Sequence, residues 1–127
     1  MSEINSYRDL FVWQKSMALV KSVYGAVRAH FPNNEEYALS SQIRRSCISI
    51  PSNIAEGFGR NSTKDYVRFL QIARGSLFEL QTQIMLSFDL GYINTELQNE
   101  ILKSTNEIEK MLNSLIAKIE NSADKKP

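Results

Sequence analysis

Apolar residues recur along most of this chain at steps of three and four, the rhythm of helices that bury one side. From Leu10 to Phe31 the residues Leu10, Trp13, Met17, Val20, Tyr24, Val27 and Phe31 keep that spacing without a break, the a/d pattern of a bundle helix. Ser6 or Asp9 can cap its start, and Pro32 followed by Asn33 and Asn34 ends it. The 22 residues from Asp9 to His30 would span roughly 33 Å at about 1.5 Å each. A second strip, Val12, Leu19, Val23 and Ala26, lies about a quarter-turn round. Together the two strips exceed what one partner helix covers, which leaves surface for an oligomeric contact.

The next segment combines packing with polarity. Ile43, Cys47, Ile50 and Ile54 fall along one side of a helix ending near Phe58, while Arg45, Ser49, Ser52, Glu56 and Arg60 fall roughly opposite. Pro51 lies inside it and removes the bond to the Cys47 carbonyl, so a kink is expected between Cys47 and Pro51. Gly57 and Gly59 end the helix. Ser62 with Asp65 reads as a capping box for a third helix, whose stripe is Tyr66, Leu70, Ala73, Leu77, Leu80, Ile84 and Ser87. Gly91 closes it. Thr95 with Gln98 then caps a fourth, with Ile101, Thr105, Ile108, Leu112, Leu115 and Ile119 inward. Short loops between long helices imply antiparallel neighbours, hence an all-α, up-and-down antiparallel four-helix bundle. One domain is expected over residues 1–120, with 121–127 a frayed tail.

The composition fits a single packed domain: 127 residues, 43% hydrophobic and 23% charged. A net charge of +1 lacks the strong positive field of a dedicated nucleic-acid binder. The distribution is uneven, however. Between Ser40 and Gly75 stand Arg44, Arg45, Arg60, Lys64, Arg68 and Arg74 against Glu56 and Asp65, whereas the chain beyond Leu80 is mildly acidic. Neither a signal-peptide run nor eighteen uninterrupted apolar residues is present, so a soluble cytoplasmic protein without a membrane partner is expected.

Little in the chain points to catalysis. Di-iron bundles need inward glutamates and Glu-x-x-His pairs, but the one histidine is His30 and Val27 stands three residues before it. That histidine and the single Cys47 cannot complete a structural zinc tetrahedron. Cys47 sits on the apolar stripe and reads as a small buried hydrophobe. The EGFGR glycines lack the Gly-Lys-Ser/Thr of a phosphate loop. Gly75 and Ser76, with Ala73, are expected to let a neighbouring helix approach closely, and Trp13, Tyr24 and Phe69 to serve the core. For the basic residues three readings stand: a solvated face with Glu56 pairing to Arg60, a polar network of Arg45, Ser49, Asn53 and Glu56 where subunits meet, or phosphate binding by Arg44, Arg45, Arg60 and Lys64.

Three stretches carry a resemblance: DLFVWQKSMALVKSVY at Asp9 to Tyr24, FPNNEEYALSSQIRRSCISIPSNIAEGFGR at Phe31 to Arg60, and FLQIARGSLFELQTQI at Phe69 to Ile84. The chain resembles the four-helix-bundle proteins encoded within intervening sequences of bacterial 23S ribosomal RNA genes, and QIRRSCISIPSNIAEG is the specific part. Ala38 stands where that family commonly has glycine, and Ser46 where it often has alanine. The resemblance extends to accessory proteins of diversity-generating retroelements. It implies a bundle that assembles into a five-membered ring, with nucleic acid (RNA or DNA) and a reverse transcriptase as partners. The residues that would meet them here are Arg44, Arg45, Arg60 and Lys64. It implies no enzymatic activity, cofactor, metal or small-molecule substrate. The function expected from the sequence is thus a non-enzymatic homo-oligomer, a pentamer on the family pattern, that binds RNA or nucleoprotein through a basic patch. The alternative is an assembly or adaptor module that never meets nucleic acid.

Overall fold

The computed structural model describes residues 3–124. Among them every regular element is helical: α1 (Phe11–His30), α2 (Leu39–Phe58), α3 (Thr63–Asp89) and α4 (Thr95–Asp124), with short 3₁₀ turns at Tyr7–Asp9 and Asn33–Glu35. Contacts run α1–α2, α2–α3, α3–α4 and α4–α1, while the backbones of the diagonal pairs stay apart among the described residues. This closed square is the up-and-down four-helix bundle that the short connections demand.

Local chemistry sets the helix ends. Ser6 and Asp9 form a reciprocal capping box, but it closes the 3₁₀ turn, so α1 begins at Phe11, two residues later than the spacing suggested. Ser62 caps α3 by accepting from the Asp65 N–H at 3.0 Å. At the other end of α3 the Tyr92 N–H donates to the Ser87 carbonyl and the Gly91 N–H to that of Phe88, both at 2.9 Å. That pair of bonds is a Schellman closure, and it requires the left-handed φ of +82° that Gly91 supplies. The cap of α4 is Asn94, one residue before the expected Thr95, since its Oδ1 accepts from the Leu97 N–H at 2.8 Å. Helix α4 continues through 121–124, beyond the expected boundary of the tail; 125–127 lie outside the described residues.

Pro51 interrupts one hydrogen bond and not the helix, which runs unbroken from Leu39 to Phe58. Side chains use carbonyls in the adjoining turn: the Ser52 hydroxyl donates to the Ile48 carbonyl and the Asn53 amide to that of Ser49, each at 2.8 Å. Ile43, Cys47, Ile50 and Ile54 are all fully buried, as their stripe predicts. The α3 stripe also faces the core from Leu70 to Ser87, and Ser87 settles there by donating to the Gln83 carbonyl at 2.7 Å. In α4 Ile101, Thr105, Ile108 and Leu112 are buried, after which Ile116 replaces Leu115 as the inward residue.

Helix α1 is turned relative to expectation. Its buried residues are Val12, Ser16, Leu19, Val23, Ala26 and Val27, so the second strip faces the core. Of the leading stripe only Val27 is buried, while Trp13, Val20 and Tyr24 are half-buried and Met17 is exposed. Volume explains the choice. The wedge between α2 and α4 takes short and branched side chains at its centre, whereas wide rings fit only at the rim, where part of each can reach water. Trp13 accordingly packs on Tyr7 with centroids 5.2 Å apart. Phe69, too, is half-buried.

Cross-links tie the square. Lys15 of α1 pairs with Glu107 of α4, and its ammonium holds that carboxyl below the usual range. The Tyr92 hydroxyl donates to Glu35 at 2.6 Å, and the Tyr92 ring packs on Phe31 at 5.3 Å. Helices α2 and α3 approach closely at Gly57, where an added Cβ would lie 2.8 Å from the Phe69 Cβ and 3.2 Å from Tyr66. Gly75, expected to mediate such an approach, is exposed, with nothing within 4 Å of an added Cβ.

Gly57→Ala should therefore force the two helices apart and cost about 1–3 kcal/mol. Gly25→Ala, on an α1 face open enough for a Cβ, should gain about 0.5–1 kcal/mol from helix propensity. Urea unfolding of the two variants checks both signs. Burial pushes the Cys47 thiol from 9.0 to about 11. Its folded pKa lies above the unfolded one, so its contribution to stability is full below pH 9 and declines as pH rises toward 11. Unfolding across that window should show a smaller decline in Cys47→Ala, and a maleimide should label the wild-type thiol only after unfolding.

Candidate functional site

The two most extensively packed helices, α2 and α3, carry the residues that the sequence singles out. Between them runs a ladder of small polar side chains. The Ser46 hydroxyl donates to Gln83 Oε1 at 2.7 Å, Ser49 and Ser76 share a hydrogen bond of 2.8 Å, and the Asn53 amide reaches the Ser49 hydroxyl at 2.9 Å. Serine and glycine on α2 permit this closeness. Where the ladder opens to solvent it forms a cavity of about 280 Å³ lined by Gln42, Arg45, Ser46, Ser49, Ser76 and Glu79. Of the four residues expected to join in a polar network, Ser49 and Asn53 are hydrogen-bonded together, Arg45 stands at the cavity wall, and Glu56 is engaged elsewhere.

The four expected phosphate contacts are not gathered in one patch. Arg44 turns toward the start of its own helix and donates to the Glu36 carboxylate at 2.7 Å and the Glu36 carbonyl at 3.2 Å. Arg45, the next residue, is exposed on the α3 side. Arg60 lies beyond the other end of α2, about 20 Å along the axis. There it pairs with Glu56 at 2.9 Å, the i,i+4 contact expected from the sequence. Lys64 is exposed in the first turn of α3, beside Thr63, Val67 and Arg68.

A smaller basic corner emerges instead. Arg60 and Arg68 both place their guanidinium groups over the Phe69 ring, 4.6 and 4.7 Å from its centroid, with Lys64 on the same turn of chain. Arg68 reaches this group because α3 reverses direction immediately after Gly59. Its one-turn spacing from Lys64 was visible in the sequence, but the convergence with Arg60 depends on the turn.

Apolar surface also remains outside. On α3, opposite the buried stripe, Ile72, Phe78, Met85 and Leu86 are each 41–47% exposed. Across the bundle, the α1–α2 groove is lined by Tyr7, Trp13, Met17, Val20, Ile48, Pro51 and Ala55. The stripe of α1 left outside the core supplies three of these, Trp13, Met17 and Val20, so the rotation of that helix creates the groove. Among the described residues no three His, Cys, Asp or Glu side chains are placed to hold a metal ion. Nor is any described helix long and apolar enough to cross a membrane.

Comparison with known proteins places this geometry. A crystal structure from Bacteroides thetaiotaomicron, of a protein of unknown function from the S23 ribosomal protein family, superposes with a TM-score of 0.78 at 29% identity. The match covers 84% of this chain and 96% of that one. No curated protein matches. The model of the 23S rRNA-intervening sequence protein family matches residues 8–114, from the first 3₁₀ turn into the second half of α4. With that match spanning all four helices of the square, the chain belongs to the 23S rRNA-intervening sequence protein family.

Proposed function

We propose that the protein is a non-enzymatic assembly module that associates with further copies of itself. The observation that carries this reading is the apolar surface on the outer side of α3, where Phe78 and Met85 stand two turns apart on one line and remain 43% and 44% exposed. Exposed apolar rows of this kind mark association surfaces. A second apolar surface, the α1–α2 groove, is available to receive it. Helices α1 and α3 occupy opposite corners of the square, so the groove and the α3 row face different directions. Contact between two unlike patches is head-to-tail, and such contacts close into rings when the rotation allows. A five-membered ring, which the family resemblance implies, is one such closure.

A second reading gives the assembly an RNA or nucleoprotein partner. It is favoured by the basic corner of Arg60, Lys64 and Arg68 around Phe69. Guanidinium groups held against a ring are pre-oriented for phosphate oxygens. One such corner is weak, but repetition around a ring multiplies the phosphates neutralised.

Light scattering coupled to size exclusion should return a mass several times 14.5 kDa for the wild type. Phe78→Glu with Met85→Glu should reduce it to the monomer while circular dichroism stays helical; a monomeric wild type would end the assembly reading. For the second reading, RNA affinity should fall about a thousandfold between 50 and 200 mM salt if six or more phosphates are engaged. Lys64→Glu with Arg68→Glu should abolish binding without changing the mass, and binding indifferent to both salt and mutation would exclude the corner as the RNA contact.

A further inference from the structure

Away from these surfaces, the corner where α1 hands over to α2 contains a cleft of about 340 Å³. It is lined by Tyr24, Val27, Arg28 and Phe31 from the α1 side and by Pro32, Asn33, Glu36, Ser40 and Arg44 from the connection and α2. Three features of different origin converge there.

The first is the hydroxyl of a nearly buried serine at the cleft wall. Six polar side chains are buried among the described residues, and five of them, Ser16, Ser46, Gln83, Ser87 and Thr105, are hydrogen-bonded. Ser40, only 1% exposed, is the sixth. No hydrogen bond among the described residues engages its hydroxyl, and it lines the cleft. No buried side-chain atom wholly sealed from solvent lacks a partner, so the Ser40 oxygen keeps its access through the cleft. A donor on a nearly buried residue that opens only to a cleft is a place for a ligand atom.

The second is an uncapped helix start. Ala38 gives α2 no capping side chain. In the first turn the Leu39 N–H finds Glu35 at 3.3 Å and the Gln42 N–H finds the Ala38 carbonyl, leaving those of Ser40 and Ser41 without an acceptor among the described residues. Twenty aligned peptide units end here with their positive pole. The third is charge from two elements. Arg44 is fixed by one nitrogen, whose bonds to the Glu36 carboxylate and carbonyl leave the rest of its fork unused, and Arg28 of α1 makes no ion pair among the described residues. With Glu36 counted, the lining is still positive by one charge.

We infer that this cleft binds a phosphomonoester, with Arg28 and Arg44 holding the phosphate oxygens, the Ser40 hydroxyl donating to one of them, and Tyr24, Phe31 and Pro32 flanking the organic group attached. A dianion with three free oxygens satisfies both arginines and the orphan donors together, which a carboxylate cannot. The cleft is also larger than a bare phosphate needs. A free mononucleotide and the 5′-phosphate end of an RNA share this chemistry.

Calorimetry at 50 mM salt on the full chain separates the sources and tests the site. The probes are adenosine 5′-monophosphate, adenosine, and a short oligoribonucleotide with either a 5′-phosphate or a 5′-hydroxyl. The monophosphate should bind, adenosine should not, and Arg28→Ala and Ser40→Ala should each weaken binding by about tenfold, the loss of a hydrogen bond to a charged group. Arg28 is exposed, so its variant keeps the fold, which circular dichroism verifies. If the phosphorylated oligonucleotide binds at least as well as the monophosphate and its hydroxyl form does not, the RNA end is the ligand; if only the monophosphate binds, the ligand is a free nucleotide. No monophosphate or phosphorylated-end binding at millimolar concentration, equal binding of adenosine, or affinity unchanged in the folded Arg28→Ala variant overturns the inference. None of these outcomes depends on subunit mass or on the Arg60, Lys64 and Arg68 corner.

Discussion

The close seam between α2 and α3 organises the molecule. It is close because Gly57 presents no side chain to Phe69 and Tyr66, and it is polar because Ser46 meets Gln83 and Ser49 meets Ser76 there, with Asn53 holding Ser49 from its own helix. An apolar seam could slide by a turn with little penalty. Paired buried polar groups lose their partners if it does, so the ladder fixes the register of the two helices. Fixing that register also decides where Arg60 and Arg68 meet over one ring.

From the seam outward, side-chain size governs what remains exposed. The centre of the square takes Ile43, Ile50, Ile54, Leu70, Leu77, Leu80, Ile108 and Leu112, all fully buried. From α1 the residues Val12, Leu19, Val23, Ala26 and Val27 join it. Trp13, Met17 and Val20 are then displaced toward α2, where with Tyr7 and Ile48 they form the groove. Apolar surface on the outside is thus a product of core packing and also the ground for the proposed association. The α3 row adds to it without belonging to the core at all.

Charge is arranged by local pairing more than by a general field. Lys15 with Glu107, Arg44 with Glu36 and Arg60 with Glu56 are each satisfied close to home. Exposed pairs of this sort contribute little to stability. Their effect is to choose where positive charge remains uncommitted: at Arg28 beside the α2 start, at Arg45 on the seam, and at Lys64 near Phe69. These are separate places with separate geometries, and a single basic face is absent among the described residues.

Periodicity alone determined the four helices, their antiparallel order, and most of the buried stripe in α2, α3 and α4, because a step of three and four places side chains on one face whatever the partner. Local chemistry was equally legible at Ser62, at Gly91 and in the Glu56–Arg60 pair, all set within a few residues. What the tertiary structure decided was every choice between equivalents. Helix α1 offered two apolar strips, and packing against α2 and α4 selected the one without aromatic rings. Gly57 and Gly75 are the same residue in a sequence, yet one lies against a neighbouring helix and the other against solvent. Arg44 and Arg45 are adjacent, but the 100° between them on a helix sends one to Glu36 and the other to the seam. Such outcomes depend on contacts between elements distant along the chain, which no local pattern encodes.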